Sequence, residues 1–582
     1  MGTADAKTAG KSVYAQAWGR LRLTFVGVGA FSAAVNILML TGPLFMLQVY
    51  DRVLSSGSLA TLQALFIIVV IAFVFLGIYD FLRVRLLSRA AYRLDQRVSP
   101  TAHDIWMRSA LASVPPLSRP LNDLATVRSF LPGPAMLGLF DMPWIPLYMA
   151  VVFIVHPMLG WLAMGGLAVV IALALINQAS TRKHFAQAMQ MDGTESFFVD
   201  QSRRTAEAIV PLGMARRVSA RWGDMHREGL AVGQIGGDRA EGFAAASKAF
   251  RLLLQSCLLG MGGYLALQQA ISPGMIVAAS IIAGRALAPV DAVIGQWRNV
   301  VRAREAHRRL HQLFAEAPPP KLTVDLPEPT GVLSVSGVSK YVPGDRSGER
   351  PPILDTINFR LDPGDAVGVI GPSASGKSTL ARIIVGATQA DQGEVRLDGA
   401  TLSQWSEEAL GRHLGYLPQK LELISGSVRD NIARFDASAK DEDVIEAAKT
   451  AGVHDMILAL PDGYATPLGY DSAPLSGGQL QRIGLARAVF GKPRYVVLDE
   501  PNSNLDAAGD DALAAAILSL RAQGSTVIVM AHRPSAITTV NKILVLHAGR
   551  VAEFGPKEEV LKKSVRPAKT APADLATKEV IS

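Results

Sequence analysis

Nine consecutive residues in the second half of the chain have the types and spacing of a loop that binds phosphate. They are Gly371, Pro372, Ser373, Ala374, Ser375, Gly376, Lys377, Ser378 and Thr379. Glycine lets backbone N–H groups turn inward around phosphate oxygens, and a helix that begins near Lys377 adds the positive end of its dipole. In this pattern the lysine contacts the β- and γ-phosphates, and Ser378 is a ligand of Mg²⁺. The sequence therefore predicts a site for a nucleoside triphosphate, ATP, with Mg²⁺.

The flanking residues have the order that such a loop requires. An apolar run at 366–370 predicts a strand before it, and apolar residues at helical spacing in 380–385 predict a helix after it. A surface loop that is rich in glycine and serine by chance would lack this context. The strand–loop–helix order favours the phosphate site.

Two adjacent acids follow another apolar strand, which ends at Leu498. Asp499 fits the carboxylate on the Mg²⁺ side of the nucleotide. Glu500 projects in a different direction and fits the group that orients or deprotonates the attacking water. A solvated turn is the alternative, and the neighbouring phosphate loop argues against it.

The N-terminus of a second helix is also predicted to bind anions. The sequence there runs Leu475, Ser476, Gly477, Gly478 and Gln479 before a helical pattern. The backbone of Ser476–Gln479 at a helix N-terminus attracts negative charge. Two such ends in one chain suggest two surfaces that close on one triphosphate.

Four single residues complete the predicted site. Tyr341 stacks on adenine, Gln419 contacts Mg²⁺ and the attacking water, and His532 hydrogen-bonds the γ-phosphate; Asp506, in the segment 503–506, is placed in the nucleotide-binding set. Each residue alone is ordinary: an exposed tyrosine, a loop glutamine or a structural histidine. Their order around the phosphate motifs gives them weight.

The composition of the 582 residues indicates a membrane protein. Hydrophobic residues make up 49% and charged residues 19%, with a net charge of +8. This is too apolar for an ordinary soluble enzyme, and the positive charge fits basic cytoplasmic loops better than nucleic-acid binding. The single cysteine, Cys257, excludes an intrachain disulfide.

Uncharged runs place six spans in the first half. The runs are 23–50, 53–79, 142–181 and 252–284. Because a bilayer-spanning helix needs about 20 apolar residues, they predict six helices. The spans are predicted at roughly 25–47, 58–80, 137–155, 158–178, 250–270 and 274–295.

The segments 81–136 and 180–249 are long and rich in arginine. The bias of positive residues toward the cytoplasm puts them, and both termini, on that side. Apolar residues recur in them at helical spacing, so we expect the helices to continue beyond the membrane.

Two charged residues lie close to the predicted spans. Asp141 is placed at the start of the third span, either as a helix-start carboxylate or in a functional role. Arg285 falls near the middle of the sixth span, where it either lines a central pathway or extends toward the surface of a short or tilted span.

The ordered set of nucleotide motifs across 331–560 resembles the nucleotide-binding domain of ABC transporters. Six spans before one such domain resemble a half-size exporter. The predicted fold is an all-α six-helix transmembrane domain followed by an α/β P-loop nucleotide-binding domain. The expected domains are an N-terminal segment 1–20, a membrane domain 21–315, a proline-rich linker 316–330, a nucleotide-binding domain 331–562 and a tail 563–582.

Four further segments resemble the ATPases of type I secretion systems, closest to the branch that exports proteases and lipases. They are Gln48–Leu54, Phe140–Trp144, Gly284–Pro289 and Pro501–Asp506. The resemblance implies a homodimer in the bacterial inner membrane, with its nucleotide-binding domain in the cytoplasm. It also implies export of an unfolded protein with a C-terminal signal. The implied partners are a periplasmic adaptor protein, an outer-membrane channel, the secreted substrate and membrane lipid, and no nucleic acid.

Other functions share part of this pattern. A lipid or drug exporter carries the same ATP motifs, and a peptide exporter is expected to add a peptidase-like domain, for which the roughly 20 residues before the first span leave no room. An ATP-gated channel would bind ATP without pumping, but Glu500 and His532 together favour hydrolysis. One departure from the family lies at 468–474, where Asp471 stands in a loop that often carries a glutamate.

Overall fold

The structure is a computed structural model that describes residues 12–111, 119–316, 326–342, 351–469, 475–531 and 537–564. The chain divides into two compact units, 1–317 and 318–582. The described part of the first unit is helical, whereas the second unit combines strands and helices.

The first unit contains helices α1 to α13. Their bounds are α1 Val13–Arg20, α2 Arg22–Leu38, α3 Thr41–Gln48, α4 Leu54–Ser56, α5 Leu59–Ser109, α6 Pro120–Phe130, α7 Pro134–Asp141, α8 Ile145–Val155, α9 Pro157–Arg204, α10 Ala206–Ile209, α11 Ala215–Leu267, α12 Pro273–Gly295 and α13 Trp297–Glu316. A π-helical turn, Val49–Val53, joins α3 to α4, and a 3₁₀ turn, Met142–Trp144, joins α7 to α8.

Six helical segments in the described residues are long and apolar enough to span a bilayer, which confirms the predicted number. They are Val13–Ser56, Leu59–Ser109, Pro134–Val155, Pro157–Arg204, Ala215–Leu267 and Pro273–Gly295. Helices α5, α9 and α11 have 51, 48 and 53 residues, well beyond the 20 or so that a membrane requires. The expectation of helices that continue past the bilayer is therefore confirmed.

The prediction that Asp141 begins a helix was wrong. The third spanning segment starts at Pro134, and Asp141 is the last residue of α7. The positions of two prolines explain the difference. Pro134 is the first residue of α7, a position that favours proline, whereas Pro143 lies in the 3₁₀ turn that follows Asp141. The carboxylate lies inside the helical segment, not at its N-terminus.

Polar side chains inside the first unit find partners on other helices. The Arg83 guanidinium lies 2.7 Å from the Asp141 carboxylate, and the amide of Asn36 donates to the same oxygen at 2.8 Å. Ser32 also contacts Asp141, and the Tyr148 hydroxyl donates to Asn36 at 2.9 Å. Four helices, α2, α5, α7 and α8, are tied together by this polar cluster.

A second polar contact joins distant parts of the first unit. Asp51, in the π-helical turn, accepts the backbone N–H of Gly274 at 2.8 Å and also contacts the Ser272 hydroxyl. A β-carbon on Gly274 would stand 2.6 Å from the Asp51 carboxylate, so glycine is needed there for the close approach. Asp51 thus caps the N-terminus of α12 from the loop between the first two spans.

The described residues of the second unit form twelve strands and helices α14 to α21. The strands are β1 Leu333–Lys340, β2 Leu354–Leu361, β3 Ala366–Ile370, β4 Gln392–Leu397, β5 Ala400–Thr401, β6 Leu414–Leu417, β7 Gly426–Ser427, β8 Pro467–Leu468, β9 Tyr495–Asp499, β10 Thr526–Met530, β11 Lys542–His547 and β12 Arg550–Pro556. The helices are α14 Lys377–Ile384, α15 Glu407–His413, α16 Val428–Ile432, α17 Asp441–Thr450, α18 His454–Leu458, α19 Gly477–Val489, α20 Ala507–Ala522 and α21 Lys557–Ser564.

The central sheet of this unit has the strand order β12-β11-β3-β10-β9-β6. All its pairs are parallel except β11 with β12. Strands β9 and β10 are buried at every residue, as expected for parallel strands covered on both faces. A separate sheet, β2-β1-β4-β5, is antiparallel. The membrane-domain and α/β P-loop folds predicted from the sequence are both confirmed.

Candidate nucleotide site

The phosphate loop joins β3 to α14, in the predicted strand–loop–helix order. Gly376 has a φ of +99°, and a β-carbon there would lie 2.9 Å from the Ile353 carbonyl oxygen. A β-carbon on Gly371 would overlap the Leu546 carbonyl oxygen. The two glycines are therefore required by the path of the loop and by its close packing.

Lys377 lies inside this loop. Its ammonium group donates to the carbonyl oxygens of Gly371 at 2.7 Å and Pro372 at 3.0 Å. Burial lowers the pKa of Lys377, and the negative charges of Glu500 and Asp499 oppose this shift. A compact cation is thus held where backbone N–H groups gather around an anion.

The structure brings Ser378 and Asp499 together. The Ser378 hydroxyl donates to Asp499 at 3.3 Å, and only 3% of Asp499 is exposed. Strand β9 delivers Asp499 to the carboxyl edge of the sheet, beside the start of α14. A hydroxyl and a carboxylate oxygen are the hard ligands that Mg²⁺ prefers, so these two residues fit the predicted ion.

Glu500 leaves β9 with an unusual backbone. Its φ is +52°, in the left-handed region that a residue with a side chain rarely adopts. Its N–H donates to the Met530 carbonyl oxygen at 3.1 Å, which fixes the turn against β10. Such backbone outliers cluster at functional sites, where the surrounding structure holds them.

The segment Ser476–Gln479 opens helix α19 as a capping box. The Ser476 hydroxyl accepts the Gln479 N–H at 3.2 Å, and the Gln479 side chain accepts the Ser476 N–H at 2.9 Å. The two glycines in the first turn of this helix, Gly477 and Gly478, lie beside Asn504. The N-terminus of α19 is thereby held in a defined position with Ser476 exposed.

Gln481 connects α19 to the segment that follows Glu500, a role that the sequence did not reveal. Its amide donates to the Glu500 carbonyl oxygen at 3.1 Å and accepts the Asn504 N–H at 3.1 Å. Gln481 is 7% exposed. The sequence signal for this contact was the presence of a polar residue among the apolar positions of α19, five residues after Ser476.

Asp506 and Arg482 make a further link between α19 and the next helix. Asp506 caps α20 through the Gly509 N–H at 2.8 Å, and Arg482 donates to the same carboxylate at 2.6 Å. The Gly509 hydrogen bond, then the charge of Arg482, hold the pKa of Asp506 below its usual value. Asp506 is thus a helix cap, and its predicted contact with nucleotide stays a prediction.

The remaining predicted residues are more scattered. Tyr341 follows β1, and its N–H donates to Asp391 at 2.8 Å. Gln419 is exposed and lies two residues after β6, next to β9 in the sheet. His532 and Asp471 lie outside the described residues.

Two groups of the predicted site stay apart within one chain. The phosphate loop, Ser378, Asp499 and Glu500 form one group at the carboxyl edge of the sheet. Among the residues that the structure describes, no hydrogen bond or ion pair joins Ser476–Gln479 to the loop at 371–379. One chain therefore presents two half-sites.

Arg434 is a half-buried cation that the sequence analysis missed. Its guanidinium donates to five carbonyl oxygens, of Gly411, Leu414, Arg487, Ala488 and Phe490. Burial, aided by the charge of Arg487, lowers the pKa of Arg434 to about 10. The residue holds the C-terminus of α19 against β6, with the favourable placement of a cation at a helix C-terminus. No motif marks it, because its partners are all backbone atoms.

Comparison with known proteins agrees with this geometry. The family model described as ABC transporter matches residues 354–503. The chain is 43% identical over 548 residues to the type I secretion system ATP-binding protein PrsD of Rhizobium meliloti, and 94% of each chain is covered. It is 29% identical to the cyclolysin secretion/processing ATP-binding protein CyaB of Bordetella pertussis, covering 91% of this chain and 75% of that one.

A solved structure has the same fold. It is that of a bacterial Atm1-family ABC exporter with ATP bound, at a TM-score of 0.76 and 22% identity. The alignment covers 95% of this chain and 99% of the other. The likeness supports the order of the two units along the chain, six spans and then a nucleotide-binding fold.

Proposed function

The chain belongs to the type I secretion ATP-binding proteins of the ABC transporter family, and from that premise we propose that two copies of it export an unfolded protein across the bacterial inner membrane. It is a multi-pass membrane protein and a transport ATPase that binds ATP. In this proposal residues 21–315 form the membrane domain and residues 331–562 the nucleotide-binding domain.

The separation of the two half-sites carries the proposal. The phosphate loop with Ser378 and Asp499 forms one surface, and the capped N-terminus of α19 at Ser476 forms another. Each surface binds anions, and a triphosphate held by both would need a second chain. We infer a homodimer in which the loop of one copy faces Ser476–Gln479 of the other.

Each residue then has a defined task in hydrolysis. Tyr341 stacks on adenine, and Lys377 and the loop N–H groups hold the phosphates. Glu500 orients or deprotonates the attacking water. Ser378, Asp499 and Gln419 would hold Mg²⁺, which supplies charge stabilisation on the phosphate oxygens. His532 is proposed to hydrogen-bond the γ-phosphate. ATP closes the two copies, hydrolysis reopens them, and the access of the membrane pathway changes with each closure.

Cargo, partners and placement in the cell follow from the family. CyaB is named for secretion of cyclolysin, and PrsD is named for type I secretion. We propose a cargo with a C-terminal signal, of the protease, lipase or repeat type, a periplasmic adaptor and an outer-membrane channel. The arginine-rich extensions of α5, α9 and α11 support a cytoplasmic position for the nucleotide-binding domain in this proposal. Identity to PrsD across both units favours protein cargo over lipid, drug or peptide cargo.

A mixing experiment tests the shared site. Lys377→Ala and Gly477→Glu should each abolish ATP hydrolysis in a homodimer. When both chains are co-expressed, a mixed dimer has one composite site with both defects and one that is intact. We expect about half of the wild-type rate per mixed dimer, since only one site works.

The control is a chain that carries both substitutions, mixed with wild type. Every composite site in that dimer has one defect, so no hydrolysis above the wild-type homodimer background is expected. Absence of recovery in the first mixture, with both variants folded and binding lipid bilayers normally, would contradict the shared site.

Stimulation of ATP hydrolysis tests the cargo. A peptide with a candidate C-terminal secretion signal should raise the ATPase rate of the reconstituted protein, and a scrambled peptide of equal composition should not. If drugs or lipids stimulate the rate while the signal peptide has no effect, the cargo assignment fails and the shared site stands.

A further inference from the structure

A cavity of about 530 Å³ opens at the beginning of the chain's first spanning segment. Helix α1, the first residues of α2 and one face of α13 surround it. The side chains that matter here are two aromatic residues and four that carry basic nitrogen, namely Tyr14, Trp18, Arg20, Arg22, His307 and His311. Among the residues that the structure describes, the lining contains no carboxylate, and the two arginines give it positive character.

Aromatic contacts fix the wall of this cavity. The Tyr14 hydroxyl and His307 Nδ1 are 2.7 Å apart, and the Tyr14 ring stacks on Phe314 at 5.6 Å. Trp18 stands edge-on to His307, with ring centroids 5.2 Å apart. Burial and the neighbouring His311 lower the pKa of His307 below its ordinary value.

One side of the cavity adjoins the start of the first predicted span. Arg22 immediately precedes the uncharged run 23–50. The Trp18 ring contacts Phe25 at 6.0 Å, and Phe25 contacts Phe140, near the end of α7, at 6.0 Å. Tryptophan, tyrosine and arginine are the residues that favour the headgroup region of a bilayer. Arg20 and Arg22 therefore lie at the end of the first predicted span, where the headgroup region is expected.

The positive charge of the cavity is not neutralised by the protein around it. Arg20 and Arg22 are exposed, and in the described part of the chain neither one pairs with a carboxylate. Asp123, the acid that acts electrostatically on Tyr14, is held by Arg309 at 2.5 Å and 2.9 Å. Two arginines at the mouth of the cavity are thus available to an external anion.

We propose that this cavity binds the phosphate-bearing headgroup of an anionic phospholipid. Arg20 and Arg22 contact the phosphate, because a guanidinium forms paired hydrogen bonds with its oxygens. Trp18, which is half-buried, packs against the lipid beside the two arginines, while the fully buried Tyr14 supports the wall behind it. Bound lipid links α1 to α13, the helix that leads out of the last span.

Quenching of Trp18 fluorescence tests the site in the full chain in nanodiscs. The lipid carries bromine near the top of one acyl chain, and the signal of Trp18→Phe is subtracted to isolate Trp18. In a phosphatidylcholine background, brominated phosphatidylglycerol should quench Trp18 more than brominated phosphatidylcholine at equal low mole fraction. In Arg20→Gln/Arg22→Gln, half-maximal quenching should need roughly thirtyfold more phosphatidylglycerol, from the usual worth of two basic residues near anionic lipid.

The matched control is Arg89→Gln/Arg93→Gln, which removes the same charge from exposed positions on α5. It should leave the quenching curve unchanged. The ATPase rate of both double variants in pure phosphatidylcholine should equal the wild-type rate, which shows that they are folded. Equal quenching by the two lipids, or an unchanged curve in Arg20→Gln/Arg22→Gln, would overturn the proposal. Displacement of the brominated lipid by inorganic phosphate would also overturn it, because the site would then take a free anion.

Discussion

The two units of this protein bury charge in different ways. In the nucleotide-binding unit the contacts that shape the two predicted phosphate-binding segments are close in sequence: Lys377 contacts Gly371 and Pro372, and Ser476 contacts Gln479. In the membrane unit they are distant, since 58 residues separate Arg83 from Asp141. A phosphate can be held by the backbone of one short segment, whereas a charge among apolar helices must find its partner on another helix. The first arrangement leaves a motif in the sequence, and the second does not.

Loss of Glu500 should have the largest effect on the ATPase rate. It tests the part of the comparison that concerns catalysis in the nucleotide-binding unit. Glu500→Gln keeps the shape of the side chain but removes the base, so the ATPase rate should fall by about 10²–10⁴-fold. ATP binding, measured with a fluorescent analogue, should stay near the wild-type value. Glu408→Gln, an exposed glutamate on α15, is the control and should hydrolyse ATP normally. Wild-type hydrolysis by Glu500→Gln would refute the assigned role.

Removal of Asp141 should give the largest loss of stability in the membrane unit. Asp141→Leu leaves Arg83, which is 5% exposed, without its buried carboxylate. We expect a loss of about 3 kcal/mol, because Arg83 still has Asp80 at 2.8 Å. Thermal unfolding in detergent measures the loss.

Two further variants sharpen this prediction. Asp104→Asn breaks a pair with Arg108 in which both side chains are about half exposed, so the loss should be below about 1 kcal/mol. Arg83→Met combined with Asp141→Leu removes both charges and should recover most of the stability. Equal losses of stability in Asp141→Leu and Asp104→Asn would show that the buried pair stabilises the protein no more than the exposed pair.

Gly274→Ala tests the contact between distant ends of the membrane unit. The added β-carbon would stand 2.6 Å from the Asp51 carboxylate and push it off the start of α12. We expect a loss of roughly 1–3 kcal/mol in thermal unfolding. The control lies on the same helix: Gly284→Ala has no neighbour within 4 Å and should be neutral or slightly stabilising. A neutral Gly274→Ala would contradict the cap.

Asp365 gives the smallest effect and tests whether the nucleotide-binding unit also has a long-range charge contact. Lys542 donates to Asp365 at 2.6 Å and Asn541 donates at 2.9 Å. Burial raises the pKa of Asp365, but the hydrogen bonds from Lys542, the Asp362 N–H and Asn541 outweigh it, and the net pKa is lowered. A carboxylate with a lowered pKa stabilises the fold above its unfolded-state pKa and loses this contribution as pH falls.

Asp365→Asn should therefore unfold with about 1–2 kcal/mol less stability at neutral pH. The difference from wild type should be constant between about pH 8 and pH 5 and should shrink below about pH 4, near the ordinary pKa of aspartate. Thermal unfolding of the full chain across this range measures it. Asp362→Asn, whose side chain is 61% exposed, should show little change at any pH. If the stability difference between wild type and Asp365→Asn grows as pH falls, the pKa of Asp365 is raised in the folded protein and the prediction is wrong.

Much of the fold was predictable because its signals are periodic or local. Four uncharged runs and arginine-rich helical segments predicted the six spans and their extensions, and the structure confirms both. The placement of Asp141 was wrong because proline marks a helix start at Pro134 and a turn at Pro143, and the sequence does not say which applies. The pairing of Ser378 with Asp499 was expected from their motifs, 121 residues apart.

Other parts of the site left no local trace. Gln481 and Arg434 bind backbone carbonyl oxygens, and backbone atoms are the same for every residue type. Nothing in their own segments marks these contacts, which exist only once α19 packs against the strands. The strained turn at Glu500 was equally hidden, because its positive φ belongs to a glutamate and not to a glycine.

The sequence by itself determined where the predicted phosphate loop lies, which acids follow the strand and how many helices are long enough to cross the membrane. These properties depend on spacing along one segment, and periodicity or motif expresses them directly. Only the tertiary structure decided that Arg83 is neutralised by Asp141, that Asp51 caps α12 and that Gln481 holds the turn after Glu500. Burial makes such partners obligatory, since an unpaired buried polar group costs free energy, but it does not fix their distance along the chain.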